Sequence, residues 1–255
     1  MKLCFLGTCA GTEPMPDRKH ASFLLELDGG IYWFDAGEGC SYTAHNLGID
    51  VLKVRKILIS HPHLDHTGGL ANLIWNIRKM HWVRETKTQT DIDIWLPDLQ
   101  VWDAVKMLLH CSEGEYALES HLYPHQICDG VLFDDGLLRV TAAHNLHVAP
   151  QQENWRSFSF RIEAEGKRLI YSGDVKNYDE LDALIGDGCD GLIIETGHFG
   201  IDDVHAYTQD KKIGKVYFTH NGREILNHGE ASKQKVKDYF GETAVICFDG
   251  MTEEI

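Results

Sequence analysis

The chain has no apolar run long enough for a membrane helix, no C-x-x-C pair, no internal repeat and no cluster of basic residues. Each absence excludes a class of function. A membrane-spanning helix needs about 20 consecutive apolar residues. The opening Met1-Lys2-Leu3-Cys4-Phe5-Leu6-Gly7 reaches glycine too soon for a secretory signal. The seven cysteines are odd in number and scattered, which argues against a disulfide frame or a structural zinc knuckle and for reduced thiols in a cytoplasmic protein. A formal charge of -15 with histidine neutral disfavours RNA as a partner, because nucleic-acid affinity rests on neutralising phosphates. What remains is an ordinary globular composition, 43% apolar and 25% charged, on 255 residues. A chain of that length buries a full core without staples. Residues 1–255 read as a single domain, at most two tightly fused sheet halves.

The chain is rich in histidine, with 15, and three of them fall in Ser60-His61-Pro62-His63-Leu64-Asp65-His66. That segment follows the apolar run Ile57-Leu58-Ile59, as a buried strand delivering ligands to its carboxyl end would. Imidazole with carboxylate suits zinc, manganese or iron(II). His61 and His63 alternate and can point the same way from extended backbone. Asp65 and His66 lie past the strand end and can turn toward a second ion.

Periodicity predicts strands over Lys2–Leu6, Ser22–Leu27 and Ile31–Asp35, with Asp28-Gly29-Gly30 turning between the last two. A loop and short helix occupy Gly37–Gly48, and Val54–Ser60 is the strand before the histidine cluster. Leu70, Leu73, Ile74 and Ile77 predict a helix from Thr67 to about Met80. Ile92–Leu96 is a strand, and Asp98 caps a helix to about Cys111. The stretch Ser112–Pro124 gives no clear reading. Further strands are Val131–Phe133, Leu137–Ala142, Ser157–Ala164, Arg168–Ser172, Gly191–Ile194, Val216–Thr219 and Ala244–Phe248, with helices at Val204–Lys212 and Glu230–Phe240. Paired strands first, then strands alternating with helices, fit an α/β fold: an αβ/βα four-layer sandwich of two mixed β-sheets flanked by helices.

The later strands end as the first cluster's strand does. They stop near His144, at Gly173-Asp174, at Glu195-Thr196-Gly197-His198 and at His220. H-x-H-x-D-H at His61, His63, Asp65 and His66, a lone His144, Tyr171-Ser172-Gly173-Asp174 and Phe218-Thr219-His220 together resemble the metallo-β-lactamase superfamily. Leu6-Gly7-Thr8, Phe34-Asp35-Ala36-Gly37-Glu38-Gly39 and Thr219-His220 resemble its ribonuclease Z and phosphodiesterase branch. The resemblance runs in order over nearly the whole chain.

The resemblance implies two divalent metal ions, zinc first and manganese or iron(II) as alternatives. His61, His63 and His144 would hold one ion, Asp65, His66 and His220 the other, and Asp174 would bridge. It implies a metal-dependent hydrolase in which two ions share a hydroxide that attacks phosphorus or a carbonyl, with Asp65 counted among the catalytic groups. Asp35 is read as bracing a loop or supporting a ligand from behind, not as a ligand itself. His198 is assigned as general acid or phosphate-binding group, oriented by Glu195; His205 competes for the role. The branch also implies a homodimer.

The chain departs from ribonuclease Z. Ile194-Glu195-Thr196-Gly197 stands where that family has His-Glu-Ala-Thr, and the segment that normally parts the glutamate from Gly-His is missing. Asp174 follows His144 by 30 residues, too few for the inserted arm that grips transfer RNA. Asn221-Gly222-Arg223 replaces the usual Ser-Pro-Arg-Tyr. A small-molecule phosphodiester is therefore the expected substrate. Lactone, thioester or carboxyl ester hydrolysis is the alternative, and a metal-binding accessory protein without turnover the third reading. His147 and the other histidines read as ordinary packing or surface residues, the tryptophans as core, and Glu253-Glu254 as a solvated tail.

Overall fold

The computed structural model describes residues 1–85, 91–113, 121–151 and 154–255; part of the stretch that gave no clear reading, 114–120, lies outside them. The chain forms two compact units. The first comprises Met1–Gly7, Lys19–Ile127 and Asp249–Ile255; the second comprises Thr8–Arg18 and Cys128–Phe248.

The first unit is built on a seven-stranded sheet in the order Thr252–Glu254, Lys2–Gly7, Ser22–Leu27, Gly30–Phe34, Val54–Leu58, Ile92–Leu96, Leu122–Gln126. Its first four strands pair antiparallel and the remainder parallel. Asp28 and Gly29 both take positive φ, 45° and 68°, the conformation that matches a two-residue hairpin to the twist of its strands. Helix Leu70–Val83 buries Leu70, Leu73, Ile74 and Ile77 on one stripe. These pack with Trp33, Ile57 and the alternating Ile92, Ile94 and Leu96 into one core. Asp98 Oδ1 accepts the Gln100 N–H at 2.9 Å and opens helix Leu99–Glu113.

The second unit carries another seven-stranded sheet, in the order Ala244–Ile246, Ile213–Asn221, Cys189–Thr196, Lys167–Tyr171, Phe158–Ala164, Arg139–His144, Gly130–Asp134. Here the first four strands are parallel and the rest antiparallel. Helices Ile201–Thr208 and Gly229–Phe240 contribute Val204 and Val236 to a core with Leu192, Ile194, Val216 and Phe218.

Two strands escape the sequence pattern. Leu122–Gln126 is an edge strand containing Pro124, tolerated there because an edge leaves one side of the ladder free. Thr252–Glu254 pairs antiparallel with Lys2–Cys4, placing Glu253 opposite Leu3, so the acidic end is a strand and not a solvated tail. Backbone pairing fixes it, and side-chain hydrophobicity carries no trace of that. Among the described residues no helix is long and apolar enough to cross a membrane.

Candidate metal centre

In the first unit, strand Val54–Leu58 stops short of Ser60, and the backbone turns into the one-turn helix Leu64–Thr67. The fully buried Asp35 organises that turn. Its Oδ1 accepts the Ser60 N–H at 2.6 Å, and its Oδ2 accepts the Ser60 hydroxyl at 2.8 Å and His66 Nδ1 at 2.7 Å. With the Nδ1 proton given to Asp35, the lone pair of His66 sits on Nε2, 3.5 Å from Asp65 Oδ2. His61 Nε2 lies 3.1 Å from His63 Nδ1. The Asp35-Ala36-Gly37 loop grips the same helix: Ala36 N donates to His66 O at 2.7 Å, and a Cβ on Gly37 would fall 2.4 Å from Asp65 O. That close approach explains the glycine.

In the second unit, Asp174 follows strand Lys167–Tyr171 and is 2% exposed. Its Oδ2 lies 3.4 Å from His220 Nε2, 3.6 Å from His147 Nε2 and 3.9 Å from His198 Nδ1. Two ligands about 2.1 Å from one ion stand about 3.0 Å apart in octahedral and about 3.4 Å apart in tetrahedral geometry. The Asp174–His220, Asp174–His147 and Asp65–His66 separations are long for hydrogen bonds and match ligand-to-ligand edges. Imidazole and carboxylate donors at these spacings fit divalent metals of the zinc, manganese and iron(II) kind.

His220 reaches this position through a β-bulge. Glu195 pairs with Thr219 and Thr196 with Asn221, which leaves His220 as the extra residue, at φ 46°. A bulge re-aims the side chain it carries, here toward Asp174. Glu195 is fully buried. It accepts the N–H groups of Val175, Gly197 and His198 at 3.0–3.1 Å, and its Oε2 lies 2.9 Å from His198 Nδ1. Burial alone would raise its pKa, but the bonds to His198 and His220 outweigh that and hold it below the usual carboxylate range. The Glu195 bond raises the pKa of His198, against the opposing effect of partial burial. His198 is 46% exposed, so its ring is held by a buried carboxylate and open to solvent on the other side.

His144 stands apart. It ends strand Arg139–His144, where Asp129 takes both its backbone N–H and its Nδ1 at 2.7 Å and its ring stacks on Trp155 at 3.9 Å. Among the described residues it joins no group of His, Cys, Asp and Glu that could share an ion. His147, read from sequence as an ordinary histidine, is the one beside Asp174. The reason is local: the strand runs two residues beyond its expected end, and the turn after it carries the next histidine inward. The signal was Asn145, a turn-forming residue two positions before His147. His205 also lies elsewhere, stacked on Tyr239 at 4.3 Å from the helix Ile201–Thr208.

Comparison with known proteins gives the fold and the family. The whole chain (100%) superposes on 99% of the human short-form tRNase Z with a TM-score of 0.76 and 21% identity. It covers 99% of itself and 99% of YhfI from Bacillus subtilis, a metallo-β-lactamase fold protein, with a TM-score of 0.70 and 15% identity. These give the fold class, the αβ/βα sandwich of two mixed sheets flanked by helices. In sequence it is 32% identical over 172 residues to ribonuclease BN of Escherichia coli, 66% of this chain and 51% of that protein. It therefore spans about half the length of the curated relatives it matches. Residues 1–221 match the family described as anti-Pycsar protein Apyc1. The chain belongs to that family, and its fold is that of the metallo-β-lactamase fold protein YhfI.

Proposed function

We propose that residues 1–255 act as one metal-dependent hydrolase domain and that its substrate is a small phosphodiester. The observation that carries this is the buried Asp174 carboxylate, with the imidazoles of His220, His147 and His198 at 3.4, 3.6 and 3.9 Å. In this reading each unit brings its own donor set, His61, His63, Asp65 and His66 in the first and His147, Asp174 and His220 in the second, and these residues would hold the ions. Zinc is the first choice, with manganese or iron(II) as alternatives. Such ions supply a water activated near neutral pH and positive charge against the charge that develops on phosphorus.

The chain's own residues supply the rest. Asp35 and Glu195 fix the rings of His66 and His198. His198 holds a proton on a half-exposed ring, raised in pKa by Glu195, and delivers it to the departing alkoxide. The relatives named as ribonucleases suggest phosphodiester chemistry. The interval between His147 and Asp174 supports a small substrate, because it holds strands Phe158–Ala164 and Lys167–Tyr171 joined by the tight turn Glu165-Gly166. The acidic balance of the chain, -15, supports it too.

The test is hydrolysis by zinc- or manganese-loaded protein of bis-p-nitrophenyl phosphate, small cyclic and linear phosphodiesters, a lactone panel and a precursor tRNA. Turnover of the small diesters above the others is expected. Turnover confined to lactones or thioesters would move the reading to carboxyl esters. No turnover of anything by fully metallated protein would leave a metal-binding accessory protein.

A further inference from the structure

We propose that Asn145 is the positioning residue for His147, and that it sets the distance between His147 and Asp174. The proposal rests on the reading of His147 as a metal ligand. Asn145 is 1% exposed, in the loop directly after strand Arg139–His144. Its Oδ1 accepts the backbone N–H of His147 at 3.1 Å, closing an Asx turn that points residue 147 away from the strand direction. The same Oδ1 accepts the Ser157 hydroxyl at 2.6 Å, and the Asn145 backbone N–H donates to Ser157 O at 2.9 Å. Asn145 Nδ2 donates to Ser159 Oγ at 3.1 Å.

The chain of bonds continues beneath the other candidate ligands. Ser159 Oγ donates to Ser172 O at 2.6 Å, two residues before Asp174. Ser172 Oγ donates to Gly173 O at 2.6 Å and accepts the Glu195 N–H at 3.0 Å. Ser157, Ser159 and Ser172 are at most 1% exposed. Three strand ends, bearing His147, Asp174 and Glu195, are thus joined by one buried network of directional bonds. Apolar side chains would fill the same volume but would not fix the N–H of residue 147. A fully satisfied polar network in low dielectric does fix it. Among the described residues His144 has no such partner pointing it inward; its ring is tied to Asp129 and Trp155.

The experiment measures zinc affinity by chelator competition on the full chain, with unfolding of the metal-free protein followed in parallel. The variants are Asn145→Ala, Asn145→Ser, His147→Ala and His144→Ala. His147→Ala is expected to weaken one zinc site, and Asn145→Ala to weaken the same site by roughly 10–100-fold, the usual cost of removing a group that orients a ligand. Asn145→Ser, whose hydroxyl can still accept from residue 147, should restore part of the loss, and it serves alone if the alanine variant does not fold. His144→Ala should leave affinity unchanged. Zinc affinity unaltered in Asn145→Ala, or equally weakened in Asn145→Ser, beside a weakened His147→Ala would overturn the positioning role while the ligand reading stands. Unaltered affinity in His147→Ala would remove both.

Discussion

A Cβ at position 197 would lie 2.5 Å from Nδ1 of His220 and 2.6 Å from its Cε1. The absence of a side chain at Gly197 is what lets the bulged His220 ring sit beside Asp174. Gly197→Ala should therefore displace His220 and lower metal occupancy while the metal-free fold persists. Metal analysis beside circular dichroism reads both; full occupancy in the variant would refute the steric role.

The two neighbouring histidines of the Arg139–His144 strand end should behave oppositely. His147→Ala is expected to lose turnover through loss of metal. His144→Ala should retain both, because its ring is occupied by Asp129 and Trp155. Equal losses in the two would return His144 to the ligand set.

Replacing His198 by alanine should slow turnover by roughly 10²–10⁴-fold and leave metal content intact, as expected for a general acid. Glu195→Gln should act in the same direction, since it removes the charge that favours the protonated ring. A rate limited by metal loss in either variant would reassign these residues to ion binding.

Asp35→Ala removes the carboxylate that accepts from three buried donors, the Ser60 N–H, the Ser60 hydroxyl and His66 Nδ1. Each unsatisfied group costs about 1–3 kcal/mol. Urea unfolding of the metal-free protein should record a loss of at least that order, and a neutral effect would mean that water replaces the carboxylate without penalty.

Asp93 links acid stability to the far edge of the first unit's sheet. Burial favours its neutral form, but Lys56 Nζ and His125 Nε2, each 2.7 Å from the carboxylate, outweigh burial and lower its pKa. Because the folded value lies below the unfolded one, about 3.9, the stabilisation is complete above that value and is lost as pH falls through the folded pKa. The stability gap between the wild type and Asp93→Asn should be widest near neutrality and close toward pH 2. A gap that does not vary with pH would show that hydrogen bonding, not charge, holds the pair.

How much could be read in advance differs by element. His61, His63, Asp65 and His66 lie within six residues behind an apolar run, so their proximity is a property of the chain itself. Helix Leu70–Val83 was equally plain from its stripe. The edge strand Leu122–Gln126, with a proline and few apolar residues, and the acidic strand Thr252–Glu254 were not, because both are held by backbone pairing with partners distant in sequence.

The sequence by itself determined the donor types, the strand-then-ligand grammar and the family, because these reside in residue identity and short-range spacing. Only the tertiary structure decided which histidine of His144 and His147 turns inward, how a bulge at φ 46° aims His220, and which groups take the second nitrogen of each ring. Those outcomes depend on a strand's last two residues, on an Asx turn and on buried partners brought in from other strands. Distances among such groups are set by the folded backbone and leave no periodic trace along the chain.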